Sequence, residues 1–228
     1  NILAAYYAME MGLPVNRLVC AANSNNVLTD FIRTGIYNRS RNFIRTISPS
    51  MDILISSNLE RLLYHLTGRD PASVRQWMAD LNRTGSYQVD GHTRNKLQEI
   101  LWSDYADDGE TMETIRSVYQ HYRYIMDTHT AVGMKVYEKY TRATGDTATT
   151  VVASTASPFK FNESVVKAIL GEEAARGRNE FELLQILSKT SGSEIPPGLK
   201  DLDRKPVLHK TTTARDKMAE VVKNILLG

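Results

Sequence analysis

Apolar positions alternate between helix-like and strand-like spacing from the first residues on. Ile2, Leu3, Ala5, Tyr6 and Met9 recur at helical intervals and stop at Gly12-Leu13-Pro14, which predicts a first helix over 2–11. The next apolar stretch, Arg17 to Ala22, is short and nearly unbroken, as in a strand covered on both faces. Asn23-Ser-Asn-Asn follows at its carboxyl end, and Val27 to Thr34 reads as a short helix closed by Gly35. Helix, buried strand and helix in that order predict a piece of a parallel α/β sheet.

Ser57 and Glu60 have the spacing of a capping box for a helix running to Leu66, where Thr67-Gly68 stops it. Asp70-Pro71 is a cap followed by proline at the first helical position, with Val74, Trp77, Met78 and Leu81 as the buried stripe. Residues 92–102 and 110–125 read as two further helices, so about 68–125 is expected to be a largely helical insertion. A helix carrying Met134, Val136, Tyr137 and Tyr140 runs towards Gly145, and the β-branched run Thr149 to Ala153 predicts a strand. Amphipathic helices are expected over 162–170 and 179–188, and loop from Ser193 to Pro206. Thr213 to Leu227 reads as a last helix that buries Met218, Val221, Val222 and Ile225. The expected organisation is α/β over 1–67, helical over 68–125 and α/β again over 126–228.

A hydrophobic content of 42% over 228 residues supports a buried core and excludes a disordered tail. The formal charge of +2 comes without a dense basic block, so nothing demands a nucleic acid or an anionic membrane. Cys20 is the single cysteine, which excludes an internal disulfide and a thiolate-rich metal site and fits a reducing compartment, with the cytoplasm as default. No apolar run approaches the ~18 residues of a membrane span. The first residue is not methionine and a helical pattern starts at once, which leads to the expectation that a longer protein has been shortened here.

Polar loops beyond strand ends are where parallel α/β sheets bind ligands, which directs attention to Asn23–Asn26 and Ser154–Pro158. Such loops also serve as plain turns and caps. His65, His92, His121, His129 and His209 lack zinc-type spacing. Asp107-Asp108-Gly109-Glu110 lacks the alternating ligands of a calcium loop and reads better as negative charge at a helix start. Tyr119 and Tyr122 have the spacing of a packed helical face, and the glycosylation patterns at Asn38, Asn82 and Asn162 are chance matches. No nucleophile elbow, phosphate-binding P-loop or dinucleotide fingerprint occurs.

Several segments, in order, resemble threonine synthase, a pyridoxal-phosphate enzyme of the fold-type II group. They are Asn1-Ile-Leu-Ala-Ala-Tyr, Asn25-Asn-Val-Leu-Thr-Asp-Phe, Ser48-Pro-Ser-Met-Asp-Ile, Ser57-Asn-Leu-Glu-Arg-Leu, His129-Thr-Ala-Val-Gly and Ser154-Thr-Ala-Ser-Pro. The resemblance covers most of the chain, most clearly 1–66 and 126–161, and is to the carboxyl-terminal portion. It implies part of a three-layer fold-type II sheet, with 1–67 as the end of the cofactor-binding domain and 126–228 as the return to it.

In the family, a Gly-Asn-Phe-Gly-Asn loop runs into a helix and holds the phosphate of pyridoxal 5'-phosphate; Asn1 is similar to its last residue. Thr155 matches the hydroxyl residue facing the pyridine nitrogen, with Ser154 beside it. The resemblance thus implies cofactor binding by Asn1, Ser154 and Thr155. Ser48, Ser50, His129 and Thr130 fall in segments near the family's active site and are candidates for orienting substrate, although His129 and Thr130 could equally cap the helix that follows. The family's Schiff-base lysine has no counterpart here: Lys160 is closest to the site by sequence but reads as a helix-start lysine reaching solvent. No catalytic residue and no metal ligand is therefore assigned.

The implied reaction converts O-phospho-L-homoserine and water to L-threonine and phosphate. The chain alone is expected to be a fragment without cofactor or activity, to expose apolar surface and to self-associate, because the Leu18–Ala22 strand belongs inside a larger sheet. A phospho-lyase acting on another phosphorylated amino acid and a non-catalytic helical interaction module are the alternatives.

Overall fold

Helix α1 (Ile2–Glu10) gives way at Gly12, whose φ of +100° only a glycine adopts comfortably, to a turn that leads into strand β1 (Leu18–Ala22). The computed structural model describes residues 1–227 and divides into two units, Asn1–Glu194 and Ile195–Gly228.

In the first unit, α2 (Val27–Thr34) buries Val27, Phe31 and Ile32 and is closed by Gly35 in the left-handed region. Strand β2 (Ile36–Asn38) follows, then a single 3-10 turn at Pro49–Met51, α3 (Leu59–Leu66) and α4 (Pro71–Thr84). Asp70 caps α4 by accepting from the amides of Ala72 and Ser73. Strand β3 (Ser86–Gln88) pairs antiparallel with β2, setting Tyr37 opposite Tyr87 with their rings stacked 5.3 Å apart. Then come α5 (Gly91–Ile100), β4 (Leu101–Tyr105), α6 (Asp108–Tyr122) and α7 (Thr128–Thr144). The unit closes with α8 (Asn162–Leu170) and α9 (Glu180–Ser191).

Strand β4 lies parallel to β1 in the register Leu18 to Leu101 through Ala22 to Tyr105. One core forms around these strands from Tyr6, Phe31, Leu63, Leu97 and Leu101. Ile115, Val132, Val136, Val165, Val166 and Leu187 are fully buried among α6 to α9. The second unit holds α10 (Met218–Leu227).

The α/β class is observed, with β1·β4 and β2·β3 as two small sheets among many helices. Several local expectations are corrected. The helix expected over 92–102 stops at Ile100, because Leu101 and Ser103 turn inward with strand alternation against β1. The region 68–125 is mainly helical but contributes β3 and β4, and β4 ties it to the β1 sheet. The Ser57–Glu60 box does not form: Asn58 is the first cap position of α3 and makes no side-chain bond. The helix expected after Gly133 already starts at Thr128. The segment Thr149–Ala153, expected as a strand, is irregular, with Val151 91% exposed and, among the described residues, no neighbouring strand to pair with. The last helix starts at Met218, and Met218, Val222 and Ile225 are exposed rather than buried, Val221 being half-buried.

Candidate functional site

The start of α7 organises the polar side chains that the sequence singled out. Asp127, buried and at the N-cap, accepts from the amides of His129 at 2.8 Å and Thr130 at 3.3 Å. The same carboxylate lies 3.2 Å from His129 Nδ1 and accepts from the Thr130 hydroxyl. Burial pushes this carboxyl up, but the hydrogen bonds from His129 and Thr130, side chain and backbone alike, outweigh it and hold it below the usual carboxylate range.

From this anchor the contacts run in two directions. His129 Nε2 accepts from the Ser50 amide at 3.0 Å, while its ring packs 4.6 Å, centroid to centroid, from Phe161. Thr130 Oγ1 lies 2.9 Å from Ser154 Oγ. The neighbouring Thr155 accepts at Oγ1 a hydrogen bond of 3.3 Å from Asn1 Nδ2, at the head of α1. Asn1, Thr155, Ser154, Thr130, His129 and Ser50 are thereby joined in one continuous chain of hydrogen bonds and adjacent residues.

Ser48 sits one step further in. It is buried, with its hydroxyl 3.1 Å from Asn23 Nδ2 and 3.2 Å from Thr46 Oγ1. The Asn23 amide, at the carboxyl end of β1, also reaches Asp52 Oδ1 at 2.8 Å, and Asn25 reaches the same oxygen at 2.9 Å. Asp52 further accepts from the amide and the hydroxyl of Thr46. These bonds clamp the 44–52 loop onto the end of β1. Ser48 therefore belongs to the clamp, whereas Ser50, Ser154 and Thr155 are exposed.

Sequence reasoning found the loop Asn23–Asn26 and the segments 48–52, 129–133 and 154–158, but it missed Asp127 and the hub roles of Asn23 and Asp52. The available signal for Asp127 was an aspartate two and three residues before the amides of His129 and Thr130, the spacing of an N-cap. The cap reading of Asp107 holds: Asp107 and Glu110 form a complete capping box. Cys20 lies buried in β1, and burial pushes its thiol up to about 11. Among the described residues no group of three or more His, Cys, Asp or Glu side chains could hold a metal, and no helix is long and apolar enough to cross a membrane. An open groove of about 640 Å³ lies apart from the polar chain, lined by Tyr7, Arg61, His65 and Arg75.

Polar loops gathered at the end of a parallel strand and at a helix start occupy the position where α/β sheets of this class present their ligand-facing loops. The comparisons sharpen that class. Residues 130–225 match the family model "Threonine synthase, C-terminal". Threonine synthase-like 1 of Macaca fascicularis is 36% identical over 221 residues, covering 96% of this chain and 28% of that protein. The crystal structure of threonine synthase from yeast matches with a TM-score of 0.79 at 33% identity, over 99% of this chain and 44% of that one. A pyridoxal-phosphate-bound threonine synthase from Brucella melitensis matches with a TM-score of 0.68 at 31% identity, over 83% of this chain and 44% of that one. The chain is similar to the carboxyl-terminal portion of threonine synthases, and it spans less than half the length of these relatives.

Proposed function

We propose that this chain supplies one wall of a pyridoxal 5'-phosphate site in a threonine synthase, which converts O-phospho-L-homoserine and water to L-threonine and phosphate. The Asn1–Thr155 hydrogen bond carries the reading. Asn1 donates, so the single hydroxyl proton of the exposed Thr155 is not spent on it, and among the described residues Thr155 donates to no other group. A free hydroxyl donor suits the lone pair of a pyridine nitrogen, and a neutral partner does not enforce its protonation as an aspartate would. The cofactor, when bound, supplies the electron sink for the substrate carbons.

In this reading Thr155 orients the pyridine ring, with Ser154 beside it. Asn1 forms the rim of the phosphate end, where the start of α1 favours an anion. Ser50 orients the substrate or its phosphate, His129 and Thr130 act by holding the loops around it, and Ser48 acts through the loop it braces. No lysine of this chain is assigned the cofactor-anchoring role, Lys160 included, so activity is attributed to the protein that carries this chain and not to the chain alone. The free, buried Cys20 fits a cytoplasmic enzyme. Exposed Met11, Phe43, Ile44 and Ile55 support self-association of the isolated chain.

The similarity to threonine synthase-like 1 supports a second reading, a phospho-lyase acting on another phosphorylated amino acid. Assaying the carrying protein with O-phosphohomoserine separates the two. Equal yields of phosphate and threonine are expected. No phosphate from O-phosphohomoserine but phosphate from another phosphorylated amino acid favours the second reading, and no phosphate from any phosphorylated amino acid by the cofactor-loaded protein overturns both in favour of a non-catalytic module.

A further inference from the structure

The hydrogen-bond inventory at the start of α7 fixes where its protons sit. A carboxylate only accepts, and a hydroxyl has one proton to give. Asp127 is ionised at neutral pH, so Thr130 spends its proton on that carboxylate. The 2.9 Å contact with Ser154 is oriented with Thr130 as donor, so the Ser154 oxygen is a second acceptor of that same proton. Ser154 therefore spends no proton on Thr130. The same reasoning puts the His129 ring proton on Nδ1, facing Asp127 Oδ1, and leaves Nε2 bare to receive the Ser50 amide.

We infer that Asp127 is a positioning residue: by fixing the His129 ring proton on Nδ1 it latches the 48–52 loop to the start of α7. Both ring nitrogens of His129 are engaged, so this imidazole serves as a latch and not as the acid or base of a reaction. The inference deepens the cofactor-wall reading and takes its functional meaning from it, but the proton order holds whatever the ligand.

Nitrogen-15 spectra of the His129 ring and hydrogen exchange of the Ser50 amide, both in the 228-residue chain, test it. The expected result is a protonated Nδ1, a bare Nε2 and a protected Ser50 amide. Asp127→Asn should keep all three, since its carbonyl takes the place of Oδ1, which accepts from both amides, while its NH2 group faces Thr130. Asp127→Ala should lose them, with Ser50 exchange rising roughly tenfold, the scale of one hydrogen bond. A residue that merely caps α7 leaves Ser50 exchange unchanged in Asp127→Ala, and that result overturns the inference. Should Asp127→Ala fail to fold, His129→Phe keeps the cap and must still free the Ser50 amide; unchanged protection there, or a proton on Nε2 in the unaltered chain, is equally contradictory. Failure of the carrying protein to bind pyridoxal phosphate with this proton order intact would sink the cofactor reading and leave the latch standing.

Discussion

Asn1 and Thr155, 154 positions apart in the chain, meet through one hydrogen bond of 3.3 Å from the Asn1 amide to the Thr155 hydroxyl oxygen. The contact joins the head of α1 to the polar loop before α8 and leaves the hydroxyl proton free to act on a ligand. Replacing Thr155 with valine removes that donor at an exposed position, so the stability of the chain should stay within about 0.5 kcal/mol of the original. Turnover by the protein that carries it should fall about 5- to 10-fold, the scale of one neutral hydrogen bond. Parallel thermal melts and phosphate-release assays check this; unchanged turnover contradicts the role given to Thr155.

Cys20 is buried in the parallel pair, and its thiol is pushed up to about 11, so little thiolate forms at neutral pH and reagents cannot reach it. A disulfide-exchange reagent such as dithionitrobenzoate should label no thiol in the folded chain and one thiol per chain in guanidinium chloride. Rapid labelling without denaturant would mean that β1 opens.

Three capping carboxylates give the fold an acid limit. Asp127 is held below the usual range because bonds from His129 and Thr130 outweigh its burial. Asp70 is lowered chiefly by the Ser73 hydroxyl and the Ala72 amide, and Asp90 by the amide and hydroxyl of Thr93. Because the folded-state values lie below an unfolded value of about 3.9, their stabilisation is fully present above that pH and is lost as pH falls through the folded values. Urea midpoints should hold steady from pH 7 to about 5 and drop steeply below about 4. A midpoint that stays flat down to pH 2 contradicts the assignment.

Tyr87 is packed against Tyr37, Trp77 and Phe31, and its hydroxyl is buried with no hydrogen-bond partner among the described residues. Burial pushes its ionisation upward. Tyr87→Phe removes an unsatisfied group while keeping the stacked ring, so stability should be unchanged or rise by about 1–2 kcal/mol. A clear loss in the thermal melt would show that the hydroxyl has a partner after all.

Elements specified by their own residues were legible in the sequence. Helices α2 and α8 fall on the expected residues, because apolar spacing and a closing glycine act locally. Strand β4 was hidden, since Leu101-Trp-Ser-Asp-Tyr continues the apolar spacing of α5 and becomes a strand only by pairing with β1, 83 positions away in sequence. Thr149–Ala153 failed in the opposite sense: β-branched residues favour a strand, but among the described residues no partner strand lies beside them. At the site, the serines, threonines and His129 were found through ordered segments of a family resemblance. Asp127 and Asn23 were not, because their importance lies in how many groups converge on them from distant parts of the chain.

The central claim is that the head of α1 and the 154–155 loop face one pyridoxal phosphate. A crystal structure of the carrying protein with that cofactor bound tests it most directly. The pyridine nitrogen should lie within hydrogen-bonding distance of the Thr155 hydroxyl, with the phosphate towards Asn1. A cofactor whose ring nitrogen contacts other residues, with Thr155 left facing solvent, would contradict the account.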